Sequence, residues 1–283
     1  MDGIIIIDKP KGWTSRDVVN KVSKILKTKK VGHTGTLDPL ATGLLIICVG
    51  KATKIVELLS SEEKQYEAEI LLGVQTDTLD LEGKIERDEK VFKTKEDIEK
   101  AILSFHKKYM QEVPIYSAVK IHGKKLYEYA REKEAVVLPK KEVTIYKLTY
   151  KDIEYEHNRT KFKIDCIVSK GTYIRSLVRD LAVSMNTIGV MSNLRRTRHG
   201  VFSLKDAISI EELENGNFKM IPIEDVLPFK KVEVNEFLKN KIMNGQKLQN
   251  RLKQPILFTY QKKALALYQE DGEIIRPWKM FLS

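Results

Sequence analysis

The stretch Gly32–Gly43, GHTGTLDPLATG, holds one carboxylate, Asp38, among small residues and is the clearest candidate for chemistry in the chain. Gly32, Gly35 and Pro39 lie so close together that a helix interior is disfavoured here. A single carboxylate on a backbone with little side-chain bulk leaves room for a flat, bulky substrate to reach it. This layout suits an aspartate that acts as a nucleophile or acid, with neither a metal nor an organic cofactor.

Two other interpretations of this part of the chain require no such chemistry. Aspartate followed by proline in a glycine-rich stretch is ordinary turn chemistry, because Asp bonds its own backbone and Pro fixes φ. Composition alone favours that turn. A phosphate-binding loop is the second alternative, since Gly50–Thr53 resembles the end of a P-loop. Leu45 occupies its first required glycine position and Ala52 its Ser/Thr position, which argues against nucleotide hydrolysis.

Regular elements are predicted on both sides of the Asp38 segment. The apolar run Leu44–Val49 predicts a buried strand after it, and Gly3–Ile7 predicts another before it. Thr14 and Asp17 have the spacing of a capping box that opens a helix. The later predictions are strands at Tyr66–Leu72 and Phe162–Val168, and helices after Thr94-x-x-Asp97, Gly171-Thr172-Tyr173 and Ser209-x-x-Glu212.

The segment Gln111–Lys141 is less periodic than its surroundings, with Pro114 and Pro139 near its ends. It contains one short amphipathic stretch, predicted as a helix at roughly Lys124–Arg131. Long excursions from a compact domain are usually functional or disordered.

Pro222 and Pro228 mark a predicted boundary between a domain of residues 1–228 and a smaller one of residues 229–283. The tail from Lys230 onward carries 11 Lys/Arg and 5 Asp/Glu, a net +6 of the chain's +11. A compact basic module of this kind suits a polyanion better than a small metabolite. Its predicted elements are a helix at Val234–Met243, strands at Ile256–Tyr260 and Ala264–Tyr268, and a turn at Asp271-Gly272 before Ile274–Phe281.

Composition bounds the remaining classes of function. With 42% hydrophobic and 31% charged residues, the chain is typical of a globular protein and not of a disordered one. No apolar run approaches a membrane span, and Met1-Asp2-Gly3-Ile4 lacks the basic start of a signal peptide, so a cytoplasmic protein is expected. Cys48 and Cys166 show neither disulfide nor zinc-ligand spacing, and the five histidines form no HExxH-type pair.

Four more short motifs accompany the Asp38 segment: Lys9-Pro10-x-Gly12-x-Thr14-Ser15, Lys64-x-Tyr66, Gly171-Thr172-Tyr173-Ile174-Arg175 and Leu194-Arg195-Arg196. Together and in this order they resemble the tRNA pseudouridine synthases that act on the T-loop uridine, tRNA position 55. Matches at Gly73-x-x-Thr76-Asp77-Thr78-x-Asp80-x-x-Gly83 and Ser117-Ala118-x-Lys120-x-x-Gly123 extend the resemblance. The tail resembles the small β-rich, RNA-binding PUA module of these enzymes.

The resemblance implies an α+β catalytic domain with a mixed sheet, an RNA-gripping insertion at about 111–141, and a C-terminal PUA-like domain. Asp38 falls on the catalytic aspartate, and Arg175 on the partner that keeps it ionised. Tyr66 falls on the tyrosine that stacks on the target base and is placed to assist proton removal. Attack at C1′ of the sugar, removal of a sugar proton and addition to the base all remain open as routes for the carboxylate.

The resemblance also implies residues that hold the RNA. His33 matches a histidine associated with the everted T-loop, and Tyr173 and Leu194 match pocket-wall positions. Lys64 is assigned to substrate binding, and four arginines are expected to face phosphates: Arg179, Arg195, Arg196 and Arg198. Two departures lie in the insertion: Val113 stands where the first proline of a Pro-Pro pair is common, and Lys133 replaces a frequent glycine.

The implied partner is tRNA, through its T-arm and acceptor stem. No metal, cofactor, membrane or obligatory protein partner is implied, and a monomer is expected. Two alternatives share the same motifs. The first is an RNA-folding chaperone whose catalysis is incidental, which the basic tail and the insertion favour. The second is the related rRNA-modifying synthase of guide-RNA particles, although nothing in the sequence resembles added docking segments.

Overall fold

The regular elements of the chain are runs of one to four strands separated by short helices. The computed structural model describes residues 1–60, 62–249 and 252–281. The first half contains β1 Gly3–Lys9, α1 Ser15–Ile25, β2 Val31–Thr34, β3 Thr42–Val49, α2 Val56–Ser60, β4 Lys64–Leu72, β5 Val74–Thr76, β6 Ile85–Asp88, α3 Lys95–Ser104, β7 Lys108–Glu112, β8 Lys120–Ile121, β9 Lys124–Lys125 and α4 Leu126–Glu132. The second half contains β10 Lys140–Glu156, β11 Arg159–Val168, α5 Ile174–Ser184, β12 Gly189–His199, β13 Phe202–Ser203, α6 Ile210–Glu214, α7 Ile223–Val226, β14 Lys230–Glu233, α8 Glu236–Met243, β15 Leu248–Gln249, β16 Ile256–Tyr260, β17 Lys263–Asp271 and β18 Ile274–Met280.

A mixed sheet organises the larger part of the molecule. Within the described ranges it has nine strands in the order β1-β3-β12-β4-β11-β10-β7, with β2 added beside β3 and β13 beside β12. β3 and β12 run parallel, whereas β1 with β3 and β12 with β4 run antiparallel. The α+β prediction with a mixed sheet is confirmed.

The burial of each strand follows from what covers its two faces. β1 and β3 are buried at almost every residue, because α1 packs on one face and the C-terminal sheet on the other. β4 and β11 bury every second residue, since one of their faces packs on α3 and α5. Continuous apolar runs and alternating ones in the sequence therefore mark two-sided and one-sided burial.

Local capping determines where several helices begin. The side chains of Thr14, Thr94 and Ser209 each accept a hydrogen bond from the backbone N–H three residues later, and a reciprocal carboxylate completes each box. The predicted starts of α1, α3 and α6 are confirmed. The tail helix starts later than predicted, at Glu236, because the Asn235 side chain caps Leu238 N.

The Asp38 segment begins as a strand, although its glycines and proline indicate only turn chemistry. Val31–Thr34 pairs with β3 before the chain turns, and residues 35–41 form the loop that carries Asp38. Pairing with the buried β3 supplies hydrogen bonds that the local sequence does not reveal.

The insertion forms a small hairpin followed by a helix. β8 pairs with β9, and α4 covers Leu126–Glu132, close to the helix predicted at roughly Lys124–Arg131. Lys133 ends α4 with a φ of +55°, in the left-handed region. This conformation favours glycine, which accounts for the glycine that Lys133 replaces in the resembled pattern.

A second sheet occupies the C-terminal part of the chain, with the order β14-β16-β17-β18-β15. Leu257 and Leu267 of this sheet, with Phe281 directly after β18, pack against Ile4 and Ile46 of the large sheet. The predicted boundary at residue 228 lies two residues before β14, and the domain limits stay a prediction. The predicted range 229–283 includes residues 250, 251, 282 and 283, which lie outside the described residues.

Candidate active site

A cavity of about 370 Å³ opens beside the Asp38 loop, at the end of the large sheet where β3, β4 and β12 meet. Its size lies at the lower end of the range for small-molecule pockets, which is about 300–1,000 Å³. Seven of the ten predicted site residues line it: Asp38, Lys64, Tyr66, Tyr173, Arg175, Leu194 and Arg196. His33, Arg179 and Arg195 do not.

Strand register brings the cavity residues together. Arg196 of β12 lies opposite Tyr66 of β4 and opposite Gly43 of β3. Gly43 has a φ of +100°, and a Cβ atom built on it would lie 2.3 Å from the Arg196 carbonyl oxygen. Only glycine permits this approach, so Gly43 allows the strand after the Asp38 loop to pair with β12.

Asp38 and Arg175 form a two-point ion pair at the cavity. Arg175 Nε lies 3.0 Å from Asp38 Oδ2, and Arg175 Nη2 donates to Asp38 Oδ1 at 3.3 Å. The Arg175 side chain is 5% exposed and that of Asp38 is 35% exposed. The guanidinium is therefore enclosed while the carboxylate remains open to a substrate, and two charge-assisted contacts hold the carboxylate in place.

Arg175 is held by contacts from two further segments. Its Nη1 donates to the Thr78 carbonyl at 2.7 Å, and its Nη2 donates to the Tyr116 carbonyl at 3.0 Å. The buried Asp80 places a carboxylate oxygen 3.8 Å from Arg175 Nε. Sequence reasoning missed Asp80 and Tyr116 as site residues, although Asp80 lies in a motif that the sequence contains.

The motif that spans residues 9–15 holds the Asp38 loop through hydrogen bonds. Ser15 Oγ accepts from Leu37 N at 2.8 Å and donates to Leu37 O at 3.2 Å. The Pro39 carbonyl accepts from Gly12 N at 2.8 Å and from Lys9 Nζ at 3.4 Å. Burial lowers the pKa of Lys9 to about 8. These bonds on both sides of Asp38 fix the backbone that carries the carboxylate.

Tyr66 is a buried phenol on the floor of the cavity. It is 6% exposed, and burial raises its pKa although the neighbouring Arg196 acts in the opposite direction. The hydroxyl therefore stays protonated at neutral pH. A neutral ring suits stacking on a base and hydrogen bonding better than it suits a role as phenolate.

Arg196 lies wholly inside the protein, in contrast to the other three arginines that are expected to face phosphates, and its own contact with a phosphate stays a prediction. It is 0% exposed; its Nε donates to the Leu44 carbonyl at 2.7 Å and its Nη2 to the Gly35 carbonyl at 3.2 Å. Its Nη1 has no partner. The guanidinium forms part of the inner wall of the cavity because β12 passes between β3 and β4.

The other three arginines already have carboxylate partners at the surface. The pairs are Arg179 with Glu112 at 2.9 Å and Asp180 at 2.8 Å, Arg195 with Asp8 at 2.6 Å, and Arg198 with Glu63 at 2.5 Å. All three are partly exposed. Contact with RNA phosphates would require them to exchange partners, and it stays a prediction.

The wall residues Tyr173 and Leu194 are firmly placed. Tyr173 precedes α5, and the buried Gln111 side chain accepts from its N–H at 2.8 Å and donates to its carbonyl at 3.1 Å. Leu194 on β12 is 5% exposed. Together they supply an apolar wall beside the Asp38–Arg175 pair.

His33 lies on β2, outside the cavity lining. Burial is the main cause that lowers its pKa, and its Nδ1 has no hydrogen-bond partner. The ring is therefore neutral at pH 7, which suits stacking. Its contact with an everted loop stays a prediction.

The described residues contain no group of three or more His, Cys, Asp or Glu side chains placed to hold a metal ion. No helix among them is long and apolar enough to span a membrane.

The chain is similar in sequence and in fold to known pseudouridine synthases and to a chain of a solved RNA–protein complex. Residues 23–174 match the model of the TruB family pseudouridylate synthase, N-terminal domain. The chain is 40% identical over 286 residues to the tRNA pseudouridine synthase B of Caldanaerobacter subterraneus subsp. tengcongensis, covering 99% of each. It is 44% identical over 248 residues to that of Clostridium kluyveri, covering 87% of this chain and 84% of the relative. A solved H/ACA RNP bound to a substrate RNA containing 2′-deoxyuridine has a chain with the same fold, at a TM-score of 0.73 and 22% identity over 99% of this chain and 85% of that one.

Proposed function

The chain belongs to the TruB family of pseudouridylate synthases, and from this membership we propose that it isomerises uridine to pseudouridine in tRNA, with Asp38 as the reacting carboxylate. The observation that carries the assignment of Asp38 is its place in the cavity. Among the described residues that line the cavity, Asp38 is the one carboxylate, and Arg175 holds it at two points.

The reaction requires a group that controls the sugar while the base turns. The C1′–N1 bond breaks, the uracil rotates, a C1′–C5 bond forms, and the proton on C5 leaves while N1 gains one. A charged carboxylate fixed beside the sugar can trap C1′, remove a sugar proton or add to the base, and the Arg175 contact serves all three routes. Tyr66 and Leu194 supply the surfaces between which a flat base can lie.

The target uridine enters the cavity unpaired and unstacked. A space of about 370 Å³ admits one nucleoside and not a paired stem, so the base must leave its stack before the reaction. The unstacked bases of an RNA loop meet this requirement most readily. We therefore assign the target to the T-loop, at tRNA position 55, as the motif resemblance implies.

The other parts of the chain would grip the remainder of the tRNA. We assign the T-arm to the insertion at about 111–141, and the acceptor stem to the basic PUA-like tail. The net charge of +11 supports binding to a polyanion. We further propose that the protein acts as a cytoplasmic monomer without a metal, cofactor or obligatory protein partner.

The direct test of the assignment is Asp38→Asn, which keeps the shape of the side chain and removes its charge. Tritium release from C5-labelled uridine in a T-arm hairpin measures the reaction. We expect the rate to fall by at least about 1,000-fold, with hairpin affinity within a few-fold of wild type. The matched control is Asp225→Asn at an exposed carboxylate outside the cavity, which should leave the rate unchanged. Full activity of Asp38→Asn would contradict the assignment.

The folding-chaperone alternative is separated from catalysis in cells. In a strain that lacks this protein, Asp38→Asn should fail to restore pseudouridine in total tRNA while still binding it. If the variant restores tRNA maturation as well as wild type does, the binding role dominates in the cell.

A further inference from the structure

A second group of cavity side chains is cationic, and none of its members forms an ion pair with Asp38 among the described residues. Lys64, Lys170 and Arg196 all line the cavity. Two of them approach each other beside the backbone of Gly35: a Cβ atom built on Gly35 would lie 3.4 Å from Lys64 Cε and 3.5 Å from Arg196 Nη1. Both cations therefore lie close to the Gly35 backbone, which also lines the cavity.

The two buried members of this group, Lys64 and Arg196, donate to backbone carbonyls. Lys64 is 7% exposed, and its Nζ donates to the carbonyls of Ser60 at 3.2 Å and Glu62 at 2.9 Å, which carry no charge. Arg196 Nη1 is buried without an acceptor. In the part of the chain that the structure describes, no carboxylate forms an ion pair with Lys64, Lys170 or Arg196. Buried charge without a partner is costly, and a bound anion would offset that cost.

Lys141 extends the group at the rim of the cavity. A Cβ atom built on Gly171 would lie 1.9 Å from Lys141 Nζ, so the ammonium rests directly on the Gly171 backbone. Gly171 lines the cavity and has a φ of +81°. This glycine therefore permits the left-handed turn and also the close approach of Lys141. Lys141, like Lys170 beside Gly171, is exposed.

We propose that Lys64, Lys170 and Arg196, with Lys141 at the rim, form a subsite for a phosphodiester that flanks the extruded uridine. The inference rests on the proposed function and adds to it the part of the substrate that these residues bind. Uracil and ribose are neutral, so the anions that accompany the target nucleoside into the cavity are its backbone phosphates. A phosphate held here fixes the sugar relative to Asp38, and binding energy is thereby used to position the reacting carbon.

The test pairs a change in the protein with a change in the RNA. T-arm hairpins are synthesised with a neutral methylphosphonate at the 5′ or the 3′ phosphate of the target uridine, and kcat/KM is measured for each. With wild-type protein, one of the two hairpins should lose about 10- to 30-fold, as expected for a charge-assisted contact. For Lys64→Gln, kcat/KM on the unmodified hairpin should fall by a similar factor. When the sensitive phosphate is also replaced by methylphosphonate, kcat/KM of this variant should fall by less than about a further twofold.

A matched control and a second variant keep the result interpretable. Lys100→Gln, at an exposed lysine of α3 outside the cavity lining, should leave both the rate and the methylphosphonate penalty as in wild type. Lys170→Gln removes an exposed member of the group and should reduce the penalty even if Lys64→Gln fails to fold. The position of the sensitive methylphosphonate identifies which phosphate binds.

If the loss in kcat/KM from the lysine substitution and the loss from the methylphosphonate simply add, the proposed subsite is contradicted. If Lys64→Gln and Lys170→Gln keep the full methylphosphonate penalty, or if wild type tolerates both methylphosphonates, no phosphate is bound by these residues. Failure of the proposed function gives a different result, because the wild-type protein would then form no pseudouridine in the unmodified hairpin.

Discussion

Replacing Arg175 by lysine separates the geometry of the active-site ion pair from its charge. The guanidinium makes two contacts to Asp38, at 3.0 and 3.3 Å, and one each to the carbonyls of Thr78 and Tyr116, at 2.7 and 3.0 Å. A lysine ammonium keeps the charge but cannot span both carboxylate oxygens and both carbonyls. At least one buried carbonyl would lose its donor.

The expected magnitudes follow from those contacts. A buried acceptor left without a donor costs about 1–3 kcal/mol, so Arg175→Lys should lower the free energy of unfolding by about that amount for each of the one or two carbonyls affected. Loss of the two-point hold on Asp38 should raise the barrier by about 3–4 kcal/mol, which is a rate loss of about 100- to 1,000-fold.

Single-turnover tritium release from a T-arm hairpin at saturating enzyme reports the chemical step, and urea unfolding reports stability. Filter binding should show hairpin affinity within a few-fold of wild type. The control is Arg159→Lys, at a partly exposed arginine that pairs with Asp88 outside the cavity, and we expect its rate to stay within twofold of wild type. A rate for Arg175→Lys within threefold of wild type would refute the importance of the two-point contact.

Four other outcomes are expected. Ser15→Ala leaves the buried Leu37 N–H without its acceptor and should cost about 1–3 kcal/mol in urea unfolding, with a reduced kcat; unchanged stability and kcat would contradict the loop support. Gly43→Ala places a Cβ 2.3 Å from the Arg196 carbonyl and should cost about 2–4 kcal/mol; wild-type stability would show that β3 can shift freely. Burial lowers the pKa of Lys64 to about 8, so its charge is present below that pH and lost above it; KM for the hairpin should rise up to about tenfold from pH 7 to 9 in wild type but not in Lys64→Arg, and parallel pH profiles would refute this. EDTA should leave the rate on a hairpin folded in KCl unchanged, and a loss restored by a divalent cation would contradict a metal-free reaction.

Much of the fold can be predicted from short sequence patterns, because helix capping and strand burial depend on residues close together in the chain. The capping boxes at Thr14, Thr94 and Ser209 place helix starts within a residue of those observed. A continuous apolar run predicts β3, which is buried on both faces, and an alternating pattern predicts β11, which is buried on one face. In both strands the residue types reflect the burial directly. Seven predicted residues meet at one cavity, since the motif resemblance carries tertiary information that periodicity lacks.

The features that sequence reasoning missed depend on contacts between distant segments. An arginine in a strand is most often exposed, but Arg196 is buried because Leu44 and Gly35, more than 150 residues earlier, supply its acceptors. The contact of Arg175 with the Tyr116 carbonyl depends on where the insertion folds, and no local pattern encodes that position. The strand β2 is not evident from its own residues because its hydrogen-bond partner is β3.

The central claim is that Asp38 meets an extruded uridine while Arg175 holds it. The most direct measurement is a structure of the protein with a T-arm hairpin in which the target carries fluorine at C5, because that carbon cannot complete the reaction by releasing a proton. We expect the uracil to lie outside its loop against Tyr66, with an Asp38 carboxylate oxygen about 3–3.5 Å from a reacting carbon of the nucleoside. A carboxylate that points away from the nucleotide, or a target base that remains stacked in the loop, would contradict the account.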